Sequence, residues 1–415
     1  MILKLKPEEF NLKHENIYKK GSTISVNVEN AYRITEKLSF PRLVGSSGEK
    51  EAIKIVVDEF KKAGYNSIIR DTFRTSLHIW IYVRYIFLVL GSGLILLGLS
   101  FYLNPFITLG LIVINIFISS RALKVSTSTE IKLSRNEKYN FSTENIFVNL
   151  KSKNSKSKIV FIGHWDSKSQ SFPSSTRIAI FLIFIIGSLI LYLSYFILSL
   201  LSIFLNLNIP FLPNILLDTC LIIASIGSLN YFNKTGNNSY GAFDNAAAVG
   251  TMIELARYYK QHPLDNIDLV FLSTGSEELN LGGATHFIKK YKNDFERNST
   301  FFINFDLIGG SEVIRLITSY GIPRKISSVK LNDSFLKSAE ELKIKIRDIY
   351  SPSGVWSDFM PIVQEGFEAC WLGSEPGLKF VHTKEDNMNL VSKEGINKIL
   401  LLCLDVVKKL DEEYK

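Results

Sequence analysis

At 415 residues the chain is too long for one ordinary core and is expected to form roughly two or three units. A hydrophobic share of 46% with a mean hydropathy of +0.14 is high for a purely soluble enzyme, so a membrane part is expected. The 48 Lys and Arg against 40 Asp and Glu give +8, but the basic residues are scattered and no RNA- or DNA-binding motif accompanies them; the excess reads as a membrane-surface effect, with no nucleic-acid partner.

Three widely spaced cysteines, Cys220, Cys370 and Cys403, are too few for a disulfide framework or a cysteine-based zinc site. The first residues, Met1 to Glu9, lack the roughly 7–15-residue apolar region of a secretory signal. Residues 1–25 are polar and without clear periodicity, a weakly specified lead-in. Ala31 to Leu38 and Glu49 to Ala63 carry helical spacing; in the second, Ala52, Ile55, Val56, Phe60 and Ala63 share one face. Gly64 ends that helix, and Asn66 to Phe73 reads as a strand.

The character then changes. Tyr85 to Leu103 is an uncharged apolar run, Asn104-Pro105 predicts a turn, and Phe106 to Ser120 is a second apolar run. The first matches the ~20 residues a bilayer crossing requires, and together they predict a helical hairpin over 78–125. Asn145 to Leu150 and Lys158 to Gly163 predict strands. Ile178 to Leu205 and Phe211 to Phe232 predict a second hairpin over 177–232. Asp218 inside it raises the alternatives of an interfacial carboxylate or a transport path.

Beyond Lys234 the pattern alternates: helices over Asp244 to Gln261, Gly283 to Lys292, Phe335 to Leu342 and Ser392 to Leu410, and strands over Asp268 to Ser273, Thr300 to Phe305 and Glu368 to Leu372. The expected fold class is α/β, a mostly parallel central sheet with helices on both faces, plus about four transmembrane helices.

Chemistry-bearing residues sit at the ends of these elements. Glu277 and Glu278 follow an apolar strand; adjacent carboxylates repel and cost solvation, which asks for a positive charge such as a metal. Neighbouring side chains diverge there, so one can bind a metal while the other addresses the water on it. An isolated Glu-Glu is more often an acidic turn in solvent. His164 and Asp166 follow another strand and pair an imidazole with a carboxylate able to fix its tautomer. Asp244 opens a helix, where an N-cap is the ordinary role. Asp306 ends a strand, and His382 follows a turn. His14, His78, His262 and His286 have no such settings and read as structural or exposed.

The joint order is specific: His-x-Asp after a strand, Asp-Asn at a helix start, Glu-Glu after a strand, Asp at a strand end, then His-Thr. It resembles the co-catalytic zinc exopeptidases of the bacterial leucyl aminopeptidase and glutamate carboxypeptidase II family, over 26–77, 126–176 and 233–412, with both hairpins falling outside. The resemblance implies two zinc ions, His164 and Asp306 on one, Glu278 and His382 on the other, Asp244 bridging, Glu277 as general base and Asp166 orienting His164. It implies an aminopeptidase acting on peptides, which the apolar hairpins would hold in a lipid bilayer; the alternatives are a glutaminyl cyclase-like transferase, or a receptor, scaffold or transporter without catalysis. This chain departs from the family's pattern in Ala246-Ala-Ala after Asn245 and in Phe359 where relatives carry His. Tyr350 and Ser353 are candidate oxyanion donors by proximity alone. Arg74, Arg84, Arg121, Lys124, Lys168, Arg177 and Lys234 flank the apolar runs, and the connections around 103–105 and 206–214 contain no Lys or Arg, so the peptidase unit is expected to face the cytoplasm from the plasma membrane.

Overall fold

The computed structural model describes residues 26–126, 128–206, 210–311, 313–352 and 356–415. The lead-in with His14, and Ser353, lie outside the described residues. Helix α1 (Val28–Leu38) starts at an Asn27 cap whose side chain accepts from the Asn30 amide, and α2 (Ser47–Lys62) follows. Both start earlier than the apolar spacing predicts, because a first turn is set by polar contacts and not by burial: the Asn27 cap in α1, and in α2 the Glu49 carboxylate accepting the Gly45 amide at 2.6 Å. Strand β1 (Ile69–Ser76) leads directly into the first hairpin, α3 (His78–Leu103) and α4 (Pro105–Ser126). Strands β2 (Asn140–Leu150), β3 (Ser157–His164) and the short β4 (Ser169–Gln170) precede the second, α5 (Ser174–Leu205) and α6 (Leu212–Ser228).

Then come β5 (Thr235–Gly236), α7 (Ala247–Gln261), β6 (Ile267–Thr274), α8 (Gly282–Tyr291), β7 (Thr300–Phe305), β8 (Ile314–Tyr320), β9 (Lys325–Ile326), α9 (Val329–Glu341), β10 (Ile346–Ser351), α10 (Phe359–Gln364), β11 (Glu368–Ser374) and α11 (Lys393–Glu413). The large sheet runs β1-β2-β6-β3-β7-β11-β8-β10, with β9 beside β8. Its four central strands, β6, β3, β7 and β11, are parallel, while β1, β2 and β8 join antiparallel to their inner neighbours. The sheet is therefore mixed, parallel where the apolar runs are continuous and both faces are covered. Helices α1, α2, α7, α9 and α11 pack together on one face and α8 with α10 on the other.

Four helices are long and apolar enough to cross a membrane: α3, α4, α5, and α6 with its 3-10 extension to Phe232. They bury an inward face around Leu94, Leu97, Phe184, Tyr195 and Cys220, and expose Leu96, Val113, Phe117, Leu189 and Leu193 outward. Small residues let them approach: a Cβ on Gly227 would lie 2.2 Å from the Phe184 ring. Asn115 of α4 bonds across to α3, its Nδ2 donating to the Gly93 carbonyl at 3.1 Å. Asp218 is exposed on the second turn of α6.

Candidate metal centre

Parallel strands point their carboxyl ends to one edge, the general place for ligands in such sheets. Here β3 ends in His164, β6 is followed by Glu277 and Glu278, β7 by Asp306, and β11, after a turn, by His382. The backbone works hard in these loops. Of seven non-glycine residues with left-handed φ among those described, Ser276, Asn280, Leu281, Leu307 and His382 lie in them.

Asp244 is where the structure departs most from the pattern. A helix over Asp244 to Gln261 is expected, with Asp244 as cap; α7 begins only at Ala247, and Asp244 (φ −120°, ψ 83°) stands outside helical geometry. The Asp386 carboxylate accepts the Phe243 amide at 2.8 Å and the Asp244 amide at 3.2 Å, and Asn245 donates to the Phe305 carbonyl at 2.8 Å. These bonds hold the turn out of the helix, and the Asp244 carboxylate points inward.

All five sequence-predicted ligands converge. Asp244 Oδ1 is 3.1 Å from His164 Nε2 and Oδ2 is 3.4 Å from His382 Nε2. Asp306 Oδ1 lies 3.8 Å from His164 Nε2, and Glu278 Oε2 3.1 Å from His382 Nε2. Two groups result, His164–Asp244–Asp306 and Asp244–Glu278–His382, each able to hold a metal ion and both using Asp244. Glu277 Oε2 is 3.8 Å from His164 Nε2 and belongs to neither.

The donor set fits a metal. His164 Nδ1 bonds the Asp166 backbone carbonyl at 3.0 Å, which leaves Nε2 as the free lone pair; that atom is buried and without a hydrogen bond. Burial by itself would lower the His164 pKa, but Glu277, Asp166, Asp244 and Asp306 outweigh it and raise it well above the ordinary value. So dense a cluster of carboxylates calls for cations. The Asp166 carboxylate does something the sequence did not suggest: its two oxygens accept the Glu277 and Glu278 amides at 3.1 and 3.2 Å, tying the glutamate loop to the histidine loop.

Several neighbours escaped sequence reasoning. Arg42 is fully buried and donates to the carbonyls of Trp165, Leu38, Phe40, Tyr240 and Gly241, lacing together the loops that carry His164 and Asp244. Burial lowers its pKa to about 10, against the pull of Asp386, Asp166, Asp244 and Glu278. Lys168, expected as a charge flanking the membrane, is instead 4% exposed with Nζ 2.6 Å from Glu278 Oε2 and 4.4 Å from the Trp80 ring centre. Trp80 donates to the Glu278 carbonyl at 2.9 Å, and Arg177 donates to His382 Nδ1 at 2.9 Å. Burial opposes ionisation of Glu278, but His382 and Lys168 hold its pKa well below the usual range. None of these residues is in a motif; only spacing in three dimensions reveals them. Tyr350 donates to the Gly321 carbonyl at 2.9 Å, and His262 and His286 bond Tyr258 and Asp71, outside the centre.

A cavity of about 490 Å³ opens over the cluster. Residues 219–407 match the model of peptidase family M28. Aminopeptidase YwaD of Bacillus subtilis is 28% identical over 173 residues, 38% of this chain and 35% of that protein. A vacuolar membrane protease of Yarrowia lipolytica is 22% identical over 178 residues, 42% of this chain and 17% of its own length. The matches thus span about a third and a sixth of those relatives. Among solved structures, the aminopeptidase from Aneurinibacillus sp. strain AM-1 superposes with a TM-score of 0.56 at 14% identity, covering 92% of this chain and 94% of that one. An Acidobacteriales bacterium glutaminyl cyclase does so at 0.54 and 14%, covering 95% and 98%. At this identity the superpositions establish the fold alone.

Proposed function

We propose that the chain is a membrane-embedded zinc exopeptidase of the M28 type, an aminopeptidase that removes N-terminal residues from peptides. The observation that carries this reading is the pair of ligand groups joined by the two oxygens of Asp244, with Glu277 beside them. The peptidase unit is 26–77, 126–176 and 233–412, interrupted by hairpins 78–125 and 177–232. His164 and Asp306 would hold one zinc, Glu278 and His382 the other, and Asp244 both.

Zinc held there supplies polarisation of the scissile carbonyl and acidification of the attacking water. Glu277 accepts the proton of that water and passes it to the leaving amine. Burial, with Glu278, Asp306 and Asp358 nearby, raises its pKa well above the ordinary value against the pull of His164, the direction a proton acceptor needs. Asp166 is a positioning residue: it holds both glutamate amides and the His164 ring.

Metal analysis together with hydrolysis of aminoacyl reporters tests the proposal. About two zinc ions per chain, with activity lost to a chelator and restored by zinc, is the expected result. A glutaminyl cyclase reading has one observation on its side. Lys168 and Arg177 bond to the ligands of one half only, which disfavours metal there. A single zinc with cyclisation of N-terminal glutamine in place of hydrolysis would establish that reading.

A further inference from the structure

The cavity over the ligand cluster has two chemically different ends. Its floor is Asp244, Glu277, Glu278, Asp306 and His382. Its walls include residues from the first three turns of two candidate membrane helices: Val83, Arg84 and Phe87 on α3, and Arg177, Ile178 and Phe181 on α5. The uncharged run of α3 begins at Tyr85 and that of α5 at Ile178. On both helices, therefore, the wall passes from the last cation into the apolar span. Phe87 lies three residues past Arg84, about 4.5 Å further along the axis at 1.5 Å per residue, and Phe181 four residues past Arg177, about 6 Å.

This upper end is not sealed from the outer face of α5. Ile178 is 46% and Phe181 44% exposed, and the apolar surface continues outward over Leu182 and Ile186. Helices α3 and α5 each pack chiefly against α4 and α6, so they face one another across the bundle with the cavity between their ends. Arg84 and Arg177 are the last cations before the apolar spans and are held by protein, Arg84 by the Tyr231 carbonyl at 2.7 Å and Arg177 by His382, so the mouth of the cavity lies where the charged ends of these helices give way to the spans.

Resting on the proposed peptidase and membrane reading, we infer that the substrate class is a membrane-anchored peptide, whose free amino end reaches the ligand cluster and whose following residues are apolar and leave over the Ile178 and Phe181 face of α5 into the bilayer. Past Arg84 and Arg177 a polar chain leaving over Ile178 and Phe181 meets side chains that offer it no hydrogen bond, whereas an apolar segment there is buried on both sides, by protein and by lipid. Confinement to the same membrane also raises the effective concentration of the amino end at the cluster.

The experiment uses the full chain in phosphatidylcholine vesicles and two peptides with the same first residues. One continues into an apolar segment long enough to span a bilayer, the other into a polar tail. The anchored peptide should be cleaved with a kcat/KM higher by about 10-fold or more. Phe181→Asp should remove that advantage while a soluble aminoacyl reporter is still hydrolysed. Should this variant fail to insert, a photocrosslinking p-benzoylphenylalanine at position 181, in a Glu277→Gln background, gives the same information: it should capture the anchored peptide and not the polar one. Equal kcat/KM for the two peptides without capture at position 181 would overturn the inference and leave the peptidase reading intact. Capture of the anchored peptide by a chain that hydrolyses no peptide would keep the substrate route and remove the peptidase reading.

Discussion

At the residue scale, the proposed reading divides the work of metal binding, given to Asp244, from that of proton transfer, given to Glu277. Asp244 faces both histidines through different oxygens, so Asp244→Ala should empty both groups, read as loss of bound metal. Glu277 belongs to neither group, so Glu277→Gln should keep the metal and lose turnover by ~10²–10⁴-fold, the usual worth of a general base. Near-normal turnover in that variant would sink its assignment. Lys168 supplies a third test. In the proposed reading its ammonium would compete with metal for Glu278, so Lys168→Met, which keeps the apolar stem against Trp80, should tighten the second metal equivalent by about tenfold, or ~1.4 kcal/mol. Calorimetric titration of the metal-free chain with zinc measures it; an unchanged second affinity would show that the ammonium yields at no cost.

At the scale of elements, charge joins α1 to α2. Glu59 on α2 meets Arg33 and Lys37 of α1 at 2.6 and 3.1 Å and Lys62 at 2.8 Å. Burial opposes its ionisation, but Arg33, Lys62 and Lys37 outweigh this and lower its pKa to about 2. A carboxylate whose folded pKa is depressed adds stability above its unfolded pKa and loses it as pH falls through the folded value. Glu59→Gln should therefore destabilise at neutral pH, on the order of 1 kcal/mol because the three cations are partly exposed, and the difference from wild type should close between about pH 4.5 and 2. Thermal melts across that range decide it; a gap independent of pH would mean that shape and not charge is at stake. In the hairpins the governing quantity is volume. Gly227→Ala forces its methyl into the Phe184 ring, an overpacking worth roughly 1–3 kcal/mol, and Phe184→Leu in the same chain should recover part of the loss in detergent melts.

For the whole molecule, two hairpins return the chain to one side each time, so the sheet segments share a compartment if the four helices cross a bilayer. The burial of Lys168 takes one charge out of the topological argument, while Arg74, Arg121, Lys124 and Lys234 still lie at the sheet ends of the apolar helices. A cytoplasmic peptidase unit is the orientation proposed. Cys220, Cys370 and Cys403 are all buried, so single cysteines introduced at exposed Asn104, between α3 and α4, and exposed Lys153, between β2 and β3, can be labelled over a quiet background. An impermeant thiol reagent on intact cells should reach Asn104→Cys and spare Lys153→Cys until lysis. The reverse pattern would place the catalytic unit outside.

Local chemistry was legible without coordinates. Uncharged runs such as Ile178 to Leu205 declare their helices by length, and continuous apolar strands such as Ile267 to Leu272 declare a sheet covered on both faces, because each depends only on neighbours in the chain. The five ligand types and Glu277 could be singled out for the same reason: carboxylates and imidazoles at strand ends, in a specific order, are a property of sequence. What lies between distant segments was not. The displacement of Asp244 from α7 depends on Asp386, more than a hundred residues away, and sequence propensity sees only the helix. Strand β10 is half-exposed, and β8, though mostly buried, is broken by Arg315 and Thr318, so neither carries a continuous apolar run to find. Lys168 read as a surface charge because lysine ordinarily is one; only packing against Trp80 and Glu278 makes its burial tolerable. Residue types and their order thus determined the chemistry available to this chain, and tertiary structure decided which charges oppose it, since a compensating partner is defined by distance in space.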